Sequence, residues 1–350
     1  MINKEMHLRE DAFSASGGGR SALGGKEGSA SGGEGPKMAP TRDGFGTGSV
    51  EAGRADQRVV VISADLAEST RADKFQKEFP ERFIDIGVAE QNMATVAAGM
   101  AGYGKVPFIT SYATFSPGRN WEQIRTTVAI NNVPVKICGS HAGLQTGPDG
   151  ATHQALEDLA LMRAMPNMVV ISPCDAEEAR KATVAAAKTG TPVYLRLARD
   201  KTPLMTTADT PFEIGRAEVF WKSEKPSVAI FATGPLVHNA LLAARELEGA
   251  GISTAVIDVH TIKPLDTETI VSLAREVGAA VTVEEHQITG GLGGAIAELL
   301  ARECPTPIEF VGVKDEFGQT GTPKELIEHY GMGVSHIVAA VKKVFARKNA

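Results

Sequence analysis

Two consecutive α/β domains with parallel sheets, after a disordered Gly/Ser-rich tail, are what this sequence predicts. Three observations carry that expectation. Short apolar runs rich in β-branched residues recur from residue 58 onward, without the alternation of a half-exposed strand. Segments of helical pattern separate them, the rhythm of a sheet covered by helices on both faces. Between Ser14 and Pro36, 14 of 23 positions are Gly or Ser, and Leu23 is the only large apolar side chain. Such a stretch buries too little surface to offset its ordering entropy. The resulting division is a flexible tail over 1–37, a first domain over 38–209 and a second over 210–350.

In the first domain the strand-like runs are RVVVIS (58–63), VPFIT (106–110), VPVKICG (133–139), MVVISP (168–173) and PVYLRL (192–197). Helical patterns fall at 89–102, 120–131, 155–165 and 175–188, the last opening with an Asp cap and acids in its first turn. The stretch 204–226 breaks the rhythm with threonines, prolines and mixed charge. A second unit then runs through SVAIFATG (227–234), helix 236–249, STAVIDV (253–259), helix 267–278, AVTVEE (280–285), helix 292–302, IEFVGV (308–313) and a last helix over about 334–345.

Composition narrows the function. With 36 Lys plus Arg against 42 Asp plus Glu, the chain carries a net charge of -6, which argues against broad nucleic-acid binding. Cys138, Cys174 and Cys304 stand far apart, with neither a CxxC pair nor histidines at metal spacing, so no structural metal is expected and a reducing cytoplasm fits. No apolar run is long enough for a membrane span, and the charged start lacks the core of a signal peptide.

The candidate chemistry clusters at strand ends. Glu90 opens an unusually small-residue helix, with Ala94, Ala97, Ala98 and Ala101 offering a face for close backbone approach; a dipole-favoured helix acid is the plain alternative. GSHAGLQTGPDGATHQALED (139–158) brings glycines, His141, His153 and Asp149 into one loop after a strand, where open α/β sheets bind ligands. Arg42, Ser69, Thr70, Arg196 and Arg199 also sit at element ends, able to converge on an anion. GGLGG (290–294) opens a helix without the Lys-Ser/Thr of a phosphate loop, and close packing explains it better.

Taken in order, TRDGFG (41–46), ISADLAEST (62–70), IGVAEQNM (86–93), the 139–168 stretch, SPCDAEEA (172–179), LRLARD (195–200), TIKPLD (261–266) and VTVEEH (281–286) resemble the transketolase family. The resemblance runs from about residue 38 to the C-terminus. It implies a pyrimidine-binding domain followed by the transketolase C-terminal domain. It also implies thiamine diphosphate as cofactor and two-carbon ketol transfer between sugar phosphates. The family's diphosphate-binding domain, with its Gly-Asp-Gly motif and Mg²⁺, has no counterpart in this sequence. The resemblance therefore implies a split enzyme. Its Mg²⁺ would be held mainly by a separate N-terminal subunit, and the two chains would self-associate into a heterotetramer, with neither nucleic acid nor membrane as partner.

By the same resemblance, Glu90 matches the acid at the aminopyrimidine nitrogen and His153 a histidine near the reacting carbons. Asp149 matches an aspartate on a substrate hydroxyl, and His141, Arg42, Ser69 and Arg199 match residues that hold the sugar phosphate. Asp65 falls near the bound cofactor. Two departures stand out. The aromatic run of many members is shortened in TSYATFSPGRNWEQIR (110–125), leaving Phe115 as the best ring to stack on the pyrimidine, with Tyr112 and Trp121 as alternatives. GPDG (147–150) carries Pro148 where an acid is usual. A 1-deoxyxylulose-5-phosphate synthase, a 2-oxo acid dehydrogenase β subunit and a non-catalytic binding protein are the competing readings; the phosphate-binding set and the TIKPLD stretch favour transketolase.

Overall fold

The computed structural model describes residues 1–13 and 36–348. Its strands, in chain order, are β1 (Met38–Ala39), β2 (Val59–Ser63), β3 (Phe83–Asp85), β4 (Val106–Tyr112), β5 (Lys136–Ser140), β6 (Val169–Ile171), β7 (Val193–Arg196), β8 (Thr202–Pro203), β9 (Glu218–Lys222), β10 (Val228–Ala232), β11 (Thr254–Asp258), β12 (Thr261–Lys263), β13 (Ala280–Gln287) and β14 (Ile308–Val313). The first sheet has the order β12-β6-β7-β5-β4-β2-β3, the second β14-β13-β10-β11-β9, and β1 and β8 form a small antiparallel pair.

The two α/β domains are there, but their sheets are mixed rather than parallel throughout. In the second sheet β9 runs antiparallel to β11. Only residues 223–227 join β9 to β10, too few for the crossover that a parallel neighbour requires. In the first sheet β12 runs antiparallel to β6. The chain leaves β11, turns over two residues and lays β12 on the edge of the other domain's sheet. That exchange ties the domains together. The apolar core is likewise continuous, with Leu159, Met162 and Met165 in one cluster with Phe231, Ile257 and Leu292.

The five apolar runs of the first domain form β2, β4, β5, β6 and β7, buried on both faces. The helix Thr41–Ala55 carries four glycines, a composition that lowers intrinsic helicity. Packing explains two of them: a Cβ on Gly44 would lie 2.0 Å from the Ala176 carbonyl, and one on Gly48 2.7 Å from that of Arg180. The helix thus lies backbone to backbone on Ala176–Ala187. The pattern over 120–131 becomes a single α turn, Trp121–Gln123, running into a π turn, Ile124–Ala129.

Of the expected tail, 14–35 lies outside the described residues, whereas 1–13 is docked on the second domain. Ile2 bridges Trp221, Asn3 N–H donates to the Phe220 carbonyl at 2.9 Å, and Lys222 N–H to that of Met1 at 3.0 Å. Ala12 and Phe13 are buried against the second core, with Arg245 donating to the Phe13 carbonyl. The segment therefore covers the outer edge of β9, an edge that is otherwise open to pairing. A few apolar anchors within a polar stretch were enough for this.

Candidate active site

The loops after β2, β3, β4, β5 and β7 all leave the carboxyl ends of parallel strands, so their residues meet along one edge of the first sheet. Glu90 is the first residue of the helix Glu90–Gly102, and its side chain is 1% exposed. Behind it Met93, Ala94, Ala97 and Ala101 are buried in the core. The carboxylate is not left to apolar surroundings alone. Ser111 Oγ donates to Oε1 at 3.2 Å, and Arg119 Nη1 donates to Oε2 at 2.7 Å. Asn120 Nδ2 donates to the Glu90 carbonyl at 3.0 Å, pinning the helix start.

A line of stacked rings continues from there. The Arg119 guanidinium lies 4.7 Å from the centre of the Phe115 ring. Phe115 stacks on Tyr112 at 6.1 Å, and Tyr112 on His141 at 3.8 Å. His153 meets Phe115 edge-on at 5.4 Å, with its Nδ1 2.9 Å from Thr152 Oγ1. Trp121 is elsewhere: its indole N–H donates to the Leu161 carbonyl at 3.1 Å and its ring packs on the core.

His141 closes the line next to a group of cations. Arg42 Nη1 donates to the Ser69 carbonyl at 2.6 Å and lies 3.4 Å from His141 Nε2. Arg42 Nε is buried with no partner among the described residues. Arg199 donates to the Thr146 carbonyl at 3.0 Å, and Arg71 to Asp43 at 2.6 Å. Burial first, then the charges of Arg42, Arg199 and Arg71, hold the His141 imidazole down to about 3. It is therefore neutral near pH 7: it accepts from Arg42 at Nε2 and donates from Nδ1 to Ser140 Oγ at 2.9 Å. Three arginines beside a neutral, hydrogen-bonding ring make an arrangement whose chemistry suits an anion. Asp65 and Asp149 lie exposed on neighbouring loops, Asp65 in a left-handed conformation at φ 61 with its N–H on Asp85.

Residues 37–205 match the family model for the transketolase pyrimidine binding domain, and 216–337 that for the transketolase C-terminal domain. The chain belongs to the transketolase family. It is 42% identical over 294 residues, 83% of this chain and 92% of the relative, to a Methanocaldococcus jannaschii protein described as a transketolase C-terminal section. It is 40% identical over 300 residues to the 6-deoxy-6-sulfo-D-fructose transketolase subunit SqwH of a Clostridium strain, covering 86% of this chain and 92% of that one. Of the mouse transketolase-like protein 2, also 40% identical, it spans only about half, 48%. Among solved structures, a split gene transketolase described as an inactive beta4 tetramer superposes with a TM-score of 0.82 at 45% identity, over 88% of this chain and 99% of that one.

Within this transketolase fold the second domain props up the site. Glu285 of β13 accepts from Gln145 N at 2.6 Å and from Gln145 Nε2 at 2.7 Å, and so holds the 141–150 loop. Burial raises that carboxyl to about 7. Gly143, at φ 81, leaves room for that contact: a Cβ there would lie 2.3 Å from Glu285 Oε1. Arg196 does not join the anion group, contrary to the sequence expectation. It is buried against Asp158 at 2.8 Å, with Tyr194 on the same carboxylate at 2.6 Å. The GGLGG helix start is filled from within, since Leu292 and Gly293 N–H donate to Glu284 at 2.7 and 2.8 Å. Arg71 and Arg119 were not anticipated. The signal for Arg119 was an arginine four residues beyond the best stacking ring; for Arg71 it was a cation closing the ISADLAEST loop.

Among the described residues no helix is long and apolar enough to cross a membrane. The three cysteines are free thiols.

Proposed function

We propose that this chain is the C-terminal subunit of a split, thiamine-diphosphate-dependent transketolase that moves a two-carbon ketol unit from a ketose phosphate to an aldose phosphate. The observation that carries the reading is the meeting, on one sheet edge, of a buried carboxylate beside a half-buried ring with a cation group around a neutral histidine. Both ends fit their ligands. Glu90 and the face of Phe115 or Tyr112 suit a flat, hydrogen-bonding pyrimidine. The unpartnered, buried Arg42 Nε, with Arg199 and His141, suits an anion.

When bound, thiamine diphosphate would supply the nucleophilic carbon on which the ketol unit is carried. The rest falls to protein groups. Glu90 would share a proton with the pyrimidine ring nitrogen through its carboxylate oxygens. His153, whose Nδ1 is engaged by Thr152, would turn Nε2 to a substrate hydroxyl or relay its proton. Asp149 would take another hydroxyl, with Asp65 near the cofactor. Arg42, Ser69, His141 and Arg199 would hold the terminal anion by charge-assisted bonds. That anion need not be phosphate, since a relative 40% identical is named for a sulfo-sugar.

The diphosphate and its Mg²⁺ would be held by a partner chain, in a heterotetramer of two chains of each kind. The experiment is coexpression with a diphosphate-binding subunit, followed by ketol transfer assayed with phosphorylated and sulfonated ketoses. Transfer by the pair and none by either chain alone is expected. Full activity of this chain alone would overturn the reading.

A further inference from the structure

Arg119 holds the two contacts that the proposed function gives to the pyrimidine. Its Nη1 donates to Glu90 Oε2 at 2.7 Å, and its guanidinium, a flat cation, lies over the Phe115 ring at 4.7 Å. A pyrimidine stacked on Phe115 and hydrogen-bonded to Glu90 needs that ring face and that carboxylate. Arg119 is also weakly anchored for so central a residue. Its side chain is 46% exposed, and among the described residues it makes no further hydrogen bond or ion pair. Glu90, by contrast, is 1% exposed, and a buried carboxylate without a countercharge is costly. The pair is therefore asymmetric: Glu90 needs a partner, while Arg119 loses little by turning out to water.

We propose that Arg119 is a displaceable stand-in for the aminopyrimidine. It shields the Glu90 carboxylate in the cofactor-free chain and must swing out for the cofactor to seat. This rests on the assignment of Glu90 and Phe115 to the pyrimidine. The consequence is a competition within the site, so the apparent affinity for cofactor is reduced by the fraction of chains in which Arg119 is bound.

The test is equilibrium binding of thiamine diphosphate with Mg²⁺ to the assembled two-subunit complex, with no turnover involved. Arg119→Gln and Arg119→Met should bind the cofactor more tightly, by about tenfold, the size set by losing one competing charge-assisted contact. The isolated chain should melt at a lower temperature in both variants, because Glu90 loses its countercharge. Unchanged or weaker cofactor binding in variants that assemble normally would overturn the proposal. A residue that merely supports the fold or steadies Glu90 predicts weakening. If one variant fails to assemble, the other decides. Glu90→Gln separates the two levels. Weakened binding there with no tightening at Arg119 rejects the stand-in alone. Equal binding by Arg119→Gln with and without Glu90→Gln, a pair in which the competing contact is absent from both, rejects the pyrimidine assignment and the stand-in with it.

Discussion

Glu90 and Glu178 invite comparison. Both are glutamates of the first domain, both lie in the first turn of a helix, and both are buried. Glu90 meets an arginine and a serine. Glu178 meets Asp258 of the second domain and the Cys174 thiol, their ligand atoms all within 4.8 Å. Glu178 Oε2 accepts from Cys174 N–H at 2.6 Å, while Oε1 and the Asp258 carboxyl are buried against each other and the Cys174 thiol. Burial, and then the charge of Asp175, raises the Glu178 carboxyl to about 7, and burial together with Glu178 raises Asp258 well above the carboxylate range. One carboxylate is thus given a countercharge open to solvent, and the other is buried beside a second acid in the domain interface, which favours its protonated form. The first arrangement can exchange its partner for a ligand; the second can only hold or lose a proton.

Glu90→Gln, in the assembled complex, should leave folding and assembly intact while kcat falls by about 10²–10⁴-fold, the usual size of an acid–base contribution. Glu178→Gln should leave kcat near that of the parent. Similar losses at both positions would erase the distinction.

A second prediction concerns pH. A carboxyl whose pKa is raised on folding gives stability that is full below its unfolded value, near 4.5, and is lost as pH rises through about 7. Glu178→Gln should remove that loss, so the variant gains on the parent between pH 5 and pH 8 by about 2–4 kcal/mol. Denaturation at a series of pH values measures it. The difference between the two proteins is the proper quantity. Glu285, also raised to about 7, adds a slope of the same sign, and Lys136, lowered to about 7 by burial, adds one of the opposite sign. A difference that stays flat with pH would show that Glu178 holds no proton in that range.

Third, Arg199→Ala should raise KM for phosphorylated or sulfonated donors about tenfold to a hundredfold, while hydroxypyruvate, without that terminal anion, is little affected. Equal losses with all donors would return Arg199 to holding the Thr146 carbonyl alone. The smallest effect belongs to the edge strap. Phe13→Ala should cost roughly 1.5–3 kcal/mol of stability, the burial of one aromatic side chain, without changing kcat. A melting temperature equal to the parent's would mean that the docked segment contributes nothing.

Much of the architecture was legible because it depends on local pattern. Runs such as VVVIS are buried on both faces, so they read as strands without knowledge of their neighbours. Strands that owe their place to an edge did not read that way. The half-polar Glu218–Lys222 has little pattern of its own and pairs because a neighbour presents an open ladder. The same holds for residues 1–13, whose few apolar anchors find a groove only in the folded second domain.

By itself the sequence determined the alternation of strands and helices, the family, and the strand ends at which chemistry-bearing residues stand. Those depend on spacing along the chain and on the fact that parallel strands deliver their following loops to one edge. Only the tertiary structure decided how charges were shared out. It sent Arg196 into a buried pair with Asp158 while Arg199, three residues on, faced the His141 loop, and it put Arg119 on Glu90. It also laid β12 across to the other domain and set Glu178 against Asp258. The physical reason is range. Strand and helix patterns are fixed by neighbours a few residues away, whereas the partner of a charge is chosen by desolvation and distance among groups that only folding brings together.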